Sequence, residues 1–369
     1  MKIQEMLEML PNRVRQMHGY VPGLQKNDSS ILKLNSNENP YPPSPAVFQA
    51  LKDLADPGKT ALEKYPSPRS HELRQAIETT LGLDTGTVLV GNGSDEILAM
   101  LFRGLMDPGD TFVMPDPTYS LYPVLAEIAG LKYSTVPLKQ DFRIDFAGLL
   151  KAAQDSNSPA RVAIMAMPNA PTGLDESTDD LERFILDFPG WVILDEAYAP
   201  FGEKSFMQLA GSRFANLICT STFSKAWSLA GMRVGWMAAH PALIDEIDKI
   251  RDSYNLSRAA QMAARAAILD VSWQKENAEK IKASRARLVS GLQQRGFQCI
   301  PSSTNFVLAR VPEGNPEQAR KIHQELEKRN ILIRYFSLPR VQEYLRISIG
   351  TEKQMDQVLT ALDEILPVP

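Results

Sequence analysis

The segment T-F-S-K-A-W-S-L-A-G-M-R, Thr222 to Arg233, sets a lysine just beyond an apolar run, N-L-I-C-T (216–220), that has the composition of a buried strand. Lys225 stands among small and hydroxyl residues, with a glycine and then Arg233 after it. Held in an apolar pocket, a lysine has its charged form disfavoured, and its amine becomes available for a Schiff base. A surface lysine following a strand fits the same letters, so its neighbours along the chain must decide.

Working outward, short β-branched runs alternate with helical patterns from Thr87 on. They are TVLV (87–90), TFVM (111–114), YSTV (133–136), VAIMAM (162–167), WVIL (191–194), NLICT and VGWMA (234–238). Between them lie helical stretches such as Ser94 to Met106, Tyr119 to Ala129 and Asp179 to Phe188, long enough for right-handed crossovers. The expected fold class is α/β. A large domain over residues 41–250 would hold a mostly parallel seven-stranded sheet flanked by helices. After Pro241 long charged amphipathic patterns follow, notably Trp273 to Arg295, and then the strand patterns FVLARV, ILIRYF and YLRISI. Residues 251–369 are therefore expected to form a smaller α+β domain, its last helix opened by a capping box at Thr351 and Gln354. Residues 1–40 are expected to form an arm packing against the small domain and the active site. It would start as an amphipathic helix (Ile3, Met6, Leu7, Leu10) stopped by Pro11 and continue as an aperiodic loop rich in Pro and Asn.

Composition narrows the function. Forty Lys and Arg against 44 Asp and Glu give a net charge of −4, with no basic excess for a nucleic-acid backbone. Cys219 and Cys299, and His18, His71, His240 and His323, stand singly, without the paired spacings of a zinc site or a disulfide framework, so no metal is expected. Both cysteines read as small core hydrophobes of a reducing cytoplasm. Acidic residues interrupt the first apolar stretch, unlike a signal peptide, and no run approaches the ~18 apolar residues of a membrane span. A cytoplasmic protein without a membrane or nucleic-acid partner is the expectation.

Groups able to do chemistry recur just past the strands. WVIL runs into Asp195-Glu196-Ala197-Tyr198, and an acid at the end of a parallel strand lies at the ligand edge of an open sheet. There it could keep the nitrogen of a pyridine ring protonated, or simply cap a helix. At ~3 Å and an effective dielectric of about 20, that attraction is roughly 5 kcal/mol before desolvation. Tyr198 could bond a ring oxygen or pack as a loop aromatic. In V-G-N-G-S-D-E the strand 87–90 enters a glycine turn and a helix, whose first amides and Ser94 hydroxyl suit an anion. P-D-P-T-Y (115–119) presents Tyr119 for stacking on a flat ring, and P-N-A-P-T-G (168–173) supplies another turn at the same edge. The 26 prolines, about 7% of the chain against a usual ~5%, fit this pattern. Pro40, Pro66, Pro115, Pro117, Pro168 and Pro171 fall at strand ends or loops of that edge, where a fixed φ stiffens the chain.

Taken in order, these motifs resemble the fold-type-I aminotransferases that use pyridoxal 5'-phosphate, over essentially the whole chain. L-N-S-N-E-N-P (34–40), K-Y-P (64–66), S-Y-N-L-S (253–257), I-R-Y-F (333–336) and Y-L-R-I-S-I-G-T (344–351) resemble the histidinol-phosphate aminotransferases within them. The resemblance implies that Lys225 carries the cofactor as the internal aldimine and acts as the base of the proton shift. Asp195 would pair with the pyridine nitrogen and Tyr198 with the phenolic oxygen. Thr222, Ser224 and Arg233, with the amides of Ser94 and Asp95, would hold the phosphate, and Tyr119 would stack on the ring. Tyr65 would reach the phosphate in a neighbouring subunit, implying a homodimer with shared sites. Arg346 would grip a substrate carboxylate bidentately. Arg334, Arg340 and Tyr20 are candidates for a substrate phosphate, as is Tyr254 contributed across the dimer, and Asn37 is a further substrate contact. One departure stands out: many relatives carry an asparagine before the Pro of P-T-G, bonded to the ring oxygen, where this chain has Ala170. Asn169, one position earlier, is the candidate substitute.

The implied reaction is ping-pong amino transfer between histidinol phosphate and 2-oxoglutarate, with glutamate as the paired amino acid, in histidine biosynthesis. Alternatives on the same scaffold are an aromatic amino-acid aminotransferase and a decarboxylase of a phosphorylated amino acid. A ligand-binding regulator that keeps the fold would be expected to carry a DNA-binding segment and a basic bias, which this chain does not show.

Overall fold

The computed structural model describes residues 3–20, 23–24, 28, 30–56, 58–59, 62–155 and 157–366. All seven runs expected as strands join one sheet: β1 (Val88–Gly91), β2 (Thr111–Asp116), β3 (Lys132–Pro137), β4 (Ala160–Ala166), β5 (Trp191–Asp195), β6 (Leu217–Thr222) and β7 (Gly235–Ala238), in the order β1-β7-β6-β5-β4-β2-β3. Neighbours are parallel except β7, which runs against both β1 and β6. That single reversal has a use. It brings the start of β7, preceded by Arg233, to the edge where β5 and β6 end.

The central strands are apolar on both faces because helices cover both. Val192, Leu194, Leu217 and Cys219 point into one hydrophobic cluster, while Ile193 and Ile218 point into the other. Helices Gly93–Gly104, Leu121–Ala129 and Pro241–Asp248 close the second cluster through Ile97, Leu101, Tyr122, Leu125 and Ile244. Helices His71–Leu81, Phe146–Ala153 and Thr178–Asp187 pack on the opposite side.

Beyond this layer, an antiparallel sheet of four strands runs Arg334–Tyr335, Tyr344–Ser348, Phe306–Arg310, Gln298–Cys299 in spatial order. The helix Val271–Gln294 and the helices Pro316–Lys328 and Glu352–Ile365 accompany it. Both halves of the Thr351 and Gln354 capping box are formed. ILIRYF is not one strand. Ile331–Leu332 pairs in parallel with Leu32–Lys33, and after Ile333 the chain turns to pair Arg334–Tyr335 with Tyr344–Ser348. The helix Arg258–Leu269 packs its alanine face (Ala260, Ala263, Ala264, Ala267) against Pro45–Leu54 and His71–Leu81. It therefore lies with the large layer rather than with the smaller unit expected from residue 251 onward. Short helices Ile3–Glu8 and Asn12–Gln16 occupy the start of the arm with their side chains outside the core. Among the described residues no helix is long and apolar enough to cross a membrane.

One buried ion cluster locks helix His71–Leu81 to Pro241–Asp248. Asp248 accepts from Arg74 (2.8 Å), Arg251 (2.7 Å) and Arg69 (2.5 Å), and the side chains of Asp248, Arg74 and Arg251 are all buried. Burial by itself would raise the Asp248 carboxyl, but the guanidinium bonds outweigh it and hold the group at about 2. Asp248→Ala should cost about 3–5 kcal/mol in urea denaturation, because two guanidinium groups would lose their counter-charge in the interior. The contribution of Asp248 is complete above the ordinary carboxyl value of 3.8 and disappears as pH falls through about 2, so Asp248→Ala should flatten that acid limb.

Candidate active site

The sheet edge formed by the ends of β2, β4, β5 and β6 opens into a cavity of about 380 Å³. Its walls include Ser94, Asp95, Tyr119, Asp195, Tyr198, Thr222, Ser224, Lys225 and Arg233 from the large layer, Arg334 and Arg346 from the small sheet, and Tyr20 and Asn37 from the arm. Thirteen residues expected from sequence at one site thus share one space. A parallel sheet explains the convergence: each strand ends at the same edge, and its loop turns outward there.

Lys225 follows β6 and is half-buried; its Nζ donates to the Ser36 carbonyl at 3.0 Å and lies 5.8 Å from the centre of the Tyr198 ring. Asp195, at the end of the central strand β5, is buried, and among the described residues it has no cationic hydrogen-bond partner. It accepts from the Tyr122 hydroxyl (3.1 Å), the Thr220 hydroxyl (3.3 Å) and the Ala197 amide (3.3 Å). Burial pushes its carboxyl up to about 6, and those hydrogen bonds hold it from rising further. Tyr122 is fully buried, sits edge-on to Tyr119 at 5.5 Å, and its phenol is pushed well above the usual range, first by burial and then by Asp195. Burial likewise raises the Tyr119 phenol.

Arg233, at a φ of 53°, pairs with the Asp95 carboxylate at 3.0 Å and donates to Ser224 Oγ at 3.3 Å. Two glycines clear this end. A Cβ on Gly93 would meet Arg233 Nη2 at 2.4 Å, and one on Gly235 would meet the Ser94 amide at 2.4 Å. The resulting cradle of a helix N-terminus, hydroxyls and a guanidinium suits a dianion.

The opposite wall is a pair of arginines. Arg334 and Arg346 are direct cross-strand partners, and both stack on Phe336, at 5.6 and 5.4 Å; Arg346 also covers Phe306 at 5.1 Å. Arg346 donates to the Asn35 carbonyl, and its Nε is buried without an acceptor; burial lowers its pKa. Neither arginine pairs with a carboxylate among the described residues. Like charges opposed on adjacent strands repel, so this wall is built to receive an anion.

Two expectations change. Asn169 does not face the cavity: its amide donates to Pro117 O and Thr172 Oγ1, and its oxygen accepts from Thr118, so it ties two loops together. Arg340 is also turned away, donating to the Leu138 and Lys139 carbonyls beside the Phe142 ring. Tyr65 and Tyr254, expected to act in a neighbouring subunit, lie outside this chain's own cavity and stack on each other at 4.4 Å, with Tyr65 76% exposed. Sequence reasoning missed Tyr122, Thr220, Ser36, Ser348 and Asn305. Ser36 and Ser348 stand inside quoted motifs but were given no role there, and Tyr122, Thr220 and Asn305 stand outside the chemistry-bearing motifs; Tyr122 lies one helical turn after Tyr119, and that spacing was the available signal.

The comparisons with known proteins agree with this geometry. The family model "Aminotransferase class I and II" matches residues 29–362. The chain belongs to the class I and II aminotransferases. This aminotransferase is 41% identical over 351 residues to a histidinol-phosphate aminotransferase of Rhizobium meliloti, covering 94% of this chain and 96% of that one. It is 40% identical to one of Burkholderia pseudomallei, covering 96% and 97%. Its fold matches the crystal structure of histidinol-phosphate aminotransferase from Sinorhizobium meliloti in complex with pyridoxal-5'-phosphate, with a TM-score of 0.87 and 28% identity over 97% of both chains. The aminotransferase has the fold-type-I architecture.

Burial of Asp195 costs stability in the empty chain. A carboxyl raised from 3.8 to about 6 binds its proton more tightly folded than unfolded, so stability falls as pH rises between those values and the penalty is complete above about 6. In cofactor-free protein, Asp195→Asn should raise stability by about 2–3 kcal/mol at pH 8 and leave it unchanged near pH 4, measured by denaturant titration.

Proposed function

We propose that this chain exchanges an amino group between histidinol phosphate and 2-oxoglutarate, forming imidazole acetol phosphate and glutamate in L-histidine biosynthesis, with pyridoxal 5'-phosphate as cofactor. The observation that carries the substrate is the wall of Arg334 and Arg346, which pair with no carboxylate among the described residues and share the cavity with Lys225 and Asp195. Histidinol phosphate offers an amine and a phosphate but no carboxylate, whereas glutamate offers two carboxylates. A wall serving both must present cations free of internal partners. The names of relatives at 41% and 40% identity support the same substrate.

The residues present fit the cofactor. Gly93 and Gly235 leave room for its phosphate beside Ser94, Thr222, Ser224 and Arg233, with the Asp95 amide. Buried Asp195 lacks a cation, and a protonated ring nitrogen would supply one. When bound, pyridoxal phosphate supplies an electron sink that makes the substrate Cα–H acidic and carries the amino group between half-reactions. Lys225 would hold it and then move the proton at the substrate Cα. Asp195 would keep the proton on the ring nitrogen, Tyr198 would donate to the ring oxygen, and Tyr119 would cover the ring face. Arg346 would take the carboxylate of glutamate or 2-oxoglutarate, while Arg334, with Tyr20 lining the same cavity, would take the phosphate of histidinol phosphate.

A cytoplasmic homodimer with shared sites belongs to the same proposal. Tyr65 and Tyr254 would serve the cavity of a second copy, which fits their stacked, exposed placement away from their own.

Histidinol phosphate added to the cofactor-loaded protein should bleach the visible absorbance band, and 2-oxoglutarate should restore it. Lys225→Ala should abolish turnover. Arg334→Ala should raise KM for histidinol phosphate about tenfold to hundredfold, the loss of a charge-assisted bond made in ground and transition states alike. A kcat/KM higher for phenylalanine than for histidinol phosphate would sink the substrate assignment.

A further inference from the structure

Tyr198 has its ring held edge-on by Phe306 at 5.1 Å, so only the direction of its O–H bond is left to be set. A phenol can donate or accept, and the two states differ in what the cavity receives. The neighbour that decides is Asn37, whose Nδ2 lies 2.9 Å from the Tyr198 hydroxyl.

Asn37 is fixed at every polar atom. It is 2% exposed and has a φ of 55°, a left-handed conformation that Asn adopts more readily than most residues. Its backbone amide donates to Ser348 Oγ at 2.9 Å, its carbonyl accepts from Asn305 Nδ2 at 3.0 Å, and its Oδ1 accepts from Ser348 Oγ at 2.8 Å. Ser348 is buried, and its hydroxyl hydrogen has no other acceptor among the described residues. Rotating the Asn37 amide by half a turn would strand that hydrogen in the interior, a penalty the observed orientation avoids. Ser348 therefore turns the NH2 end of Asn37 toward Tyr198.

We infer that Asn37 is a positioning residue that makes Tyr198 a one-way hydrogen-bond donor into the cavity: the phenol oxygen accepts from Asn37, leaving its own hydrogen for the group bound beside Lys225. Among the described residues no other side-chain amide bonds the Tyr198 hydroxyl. Asn169 is spent on the loops around Pro117 and Thr172, and Ala170, which lines the cavity, has no polar side chain. Because Asn37 belongs to the arm, while Ser348 ends one strand of the small sheet and Asn305 immediately precedes another, Tyr198 is set only when the arm is docked between the two layers. The inference rests on reading this cavity as the pyridoxal phosphate site.

The test uses the cofactor-loaded full chain and follows the pH midpoint of the visible absorbance change of the bound cofactor. A donor to the negatively charged ring oxygen favours the deprotonated form, so losing it raises the midpoint. Asn37→Asp keeps the shape and suits the left-handed backbone, but turns the donor into an acceptor that draws the Tyr198 hydrogen away. It should raise the midpoint by about one pH unit. Ser348→Ala frees the amide to rotate and should shift it in the same direction by a smaller amount. A midpoint unchanged in Asn37→Asp overturns the inference while leaving the cofactor site standing. If Asn37→Asp does not hold cofactor, Ser348→Ala decides: an upward shift supports the inference and a wild-type midpoint overturns it. Wild-type protein that takes up no cofactor would instead remove the site reading itself, and the inference with it.

Discussion

The structure turns on a carboxylate that has been taken out of water. Asp195 ends the central strand of the large sheet, with parallel neighbours on both sides and apolar layers above and below. A charge is tolerated there only because three donors, Tyr122, Thr220 and the Ala197 amide, converge on it, and even so burial lifts it to about 6. An uncompensated acid in a core is a defect unless a cation is to be delivered to it. The surrounding layout then follows: an open edge for entry, a lysine one strand over, and rings set to bracket whatever arrives.

Charge elsewhere in the cavity is arranged by the same logic. Arg233 is already partnered by Asp95 and Ser224, so its end of the site is preorganised and polar. Arg334 and Arg346 are placed opposite one another with no carboxylate partner among the described residues, and Phe306 and Phe336 shield them. Each end favours an anion, while the acid in the sheet favours a cation. A flat ring bearing a phosphate at one end and a second anionic molecule at the other satisfies all of them at once. The stability lost to these groups is offset by the two large apolar clusters that flank the sheet.

Much of this was legible in the letters. Strand runs of four to seven β-branched and apolar residues, punctuated by Gly and Pro, gave all seven strands of the main sheet within a residue or two. Lys225, Asp195, Arg233 and Arg346 could be picked out because each sits at a fixed offset from such a run. What failed was side-chain direction. Asn169 and Arg340 lie near the site in sequence, yet their polar atoms are captured by backbone carbonyls and hydroxyls of adjacent loops. Local pattern fixes where a residue leaves its element, but a loop side chain turns toward the strongest partner in reach, and that partner comes from elsewhere in the chain.

Sequence alone determined the α/β layering, because the period of apolar residues and the crossover lengths leave few other ways to bury them. It also determined which residue types crowd the sheet edge. Only the tertiary structure decided the reversal of β7 that delivers Arg233, the move of helix Arg258–Leu269 to the large layer, and the partnership of Asn37 with Ser348, 311 positions away along the chain. These are long-range choices. They depend on which buried polar atoms find complements once the core has closed, a competition among distant groups that no local stretch of sequence records.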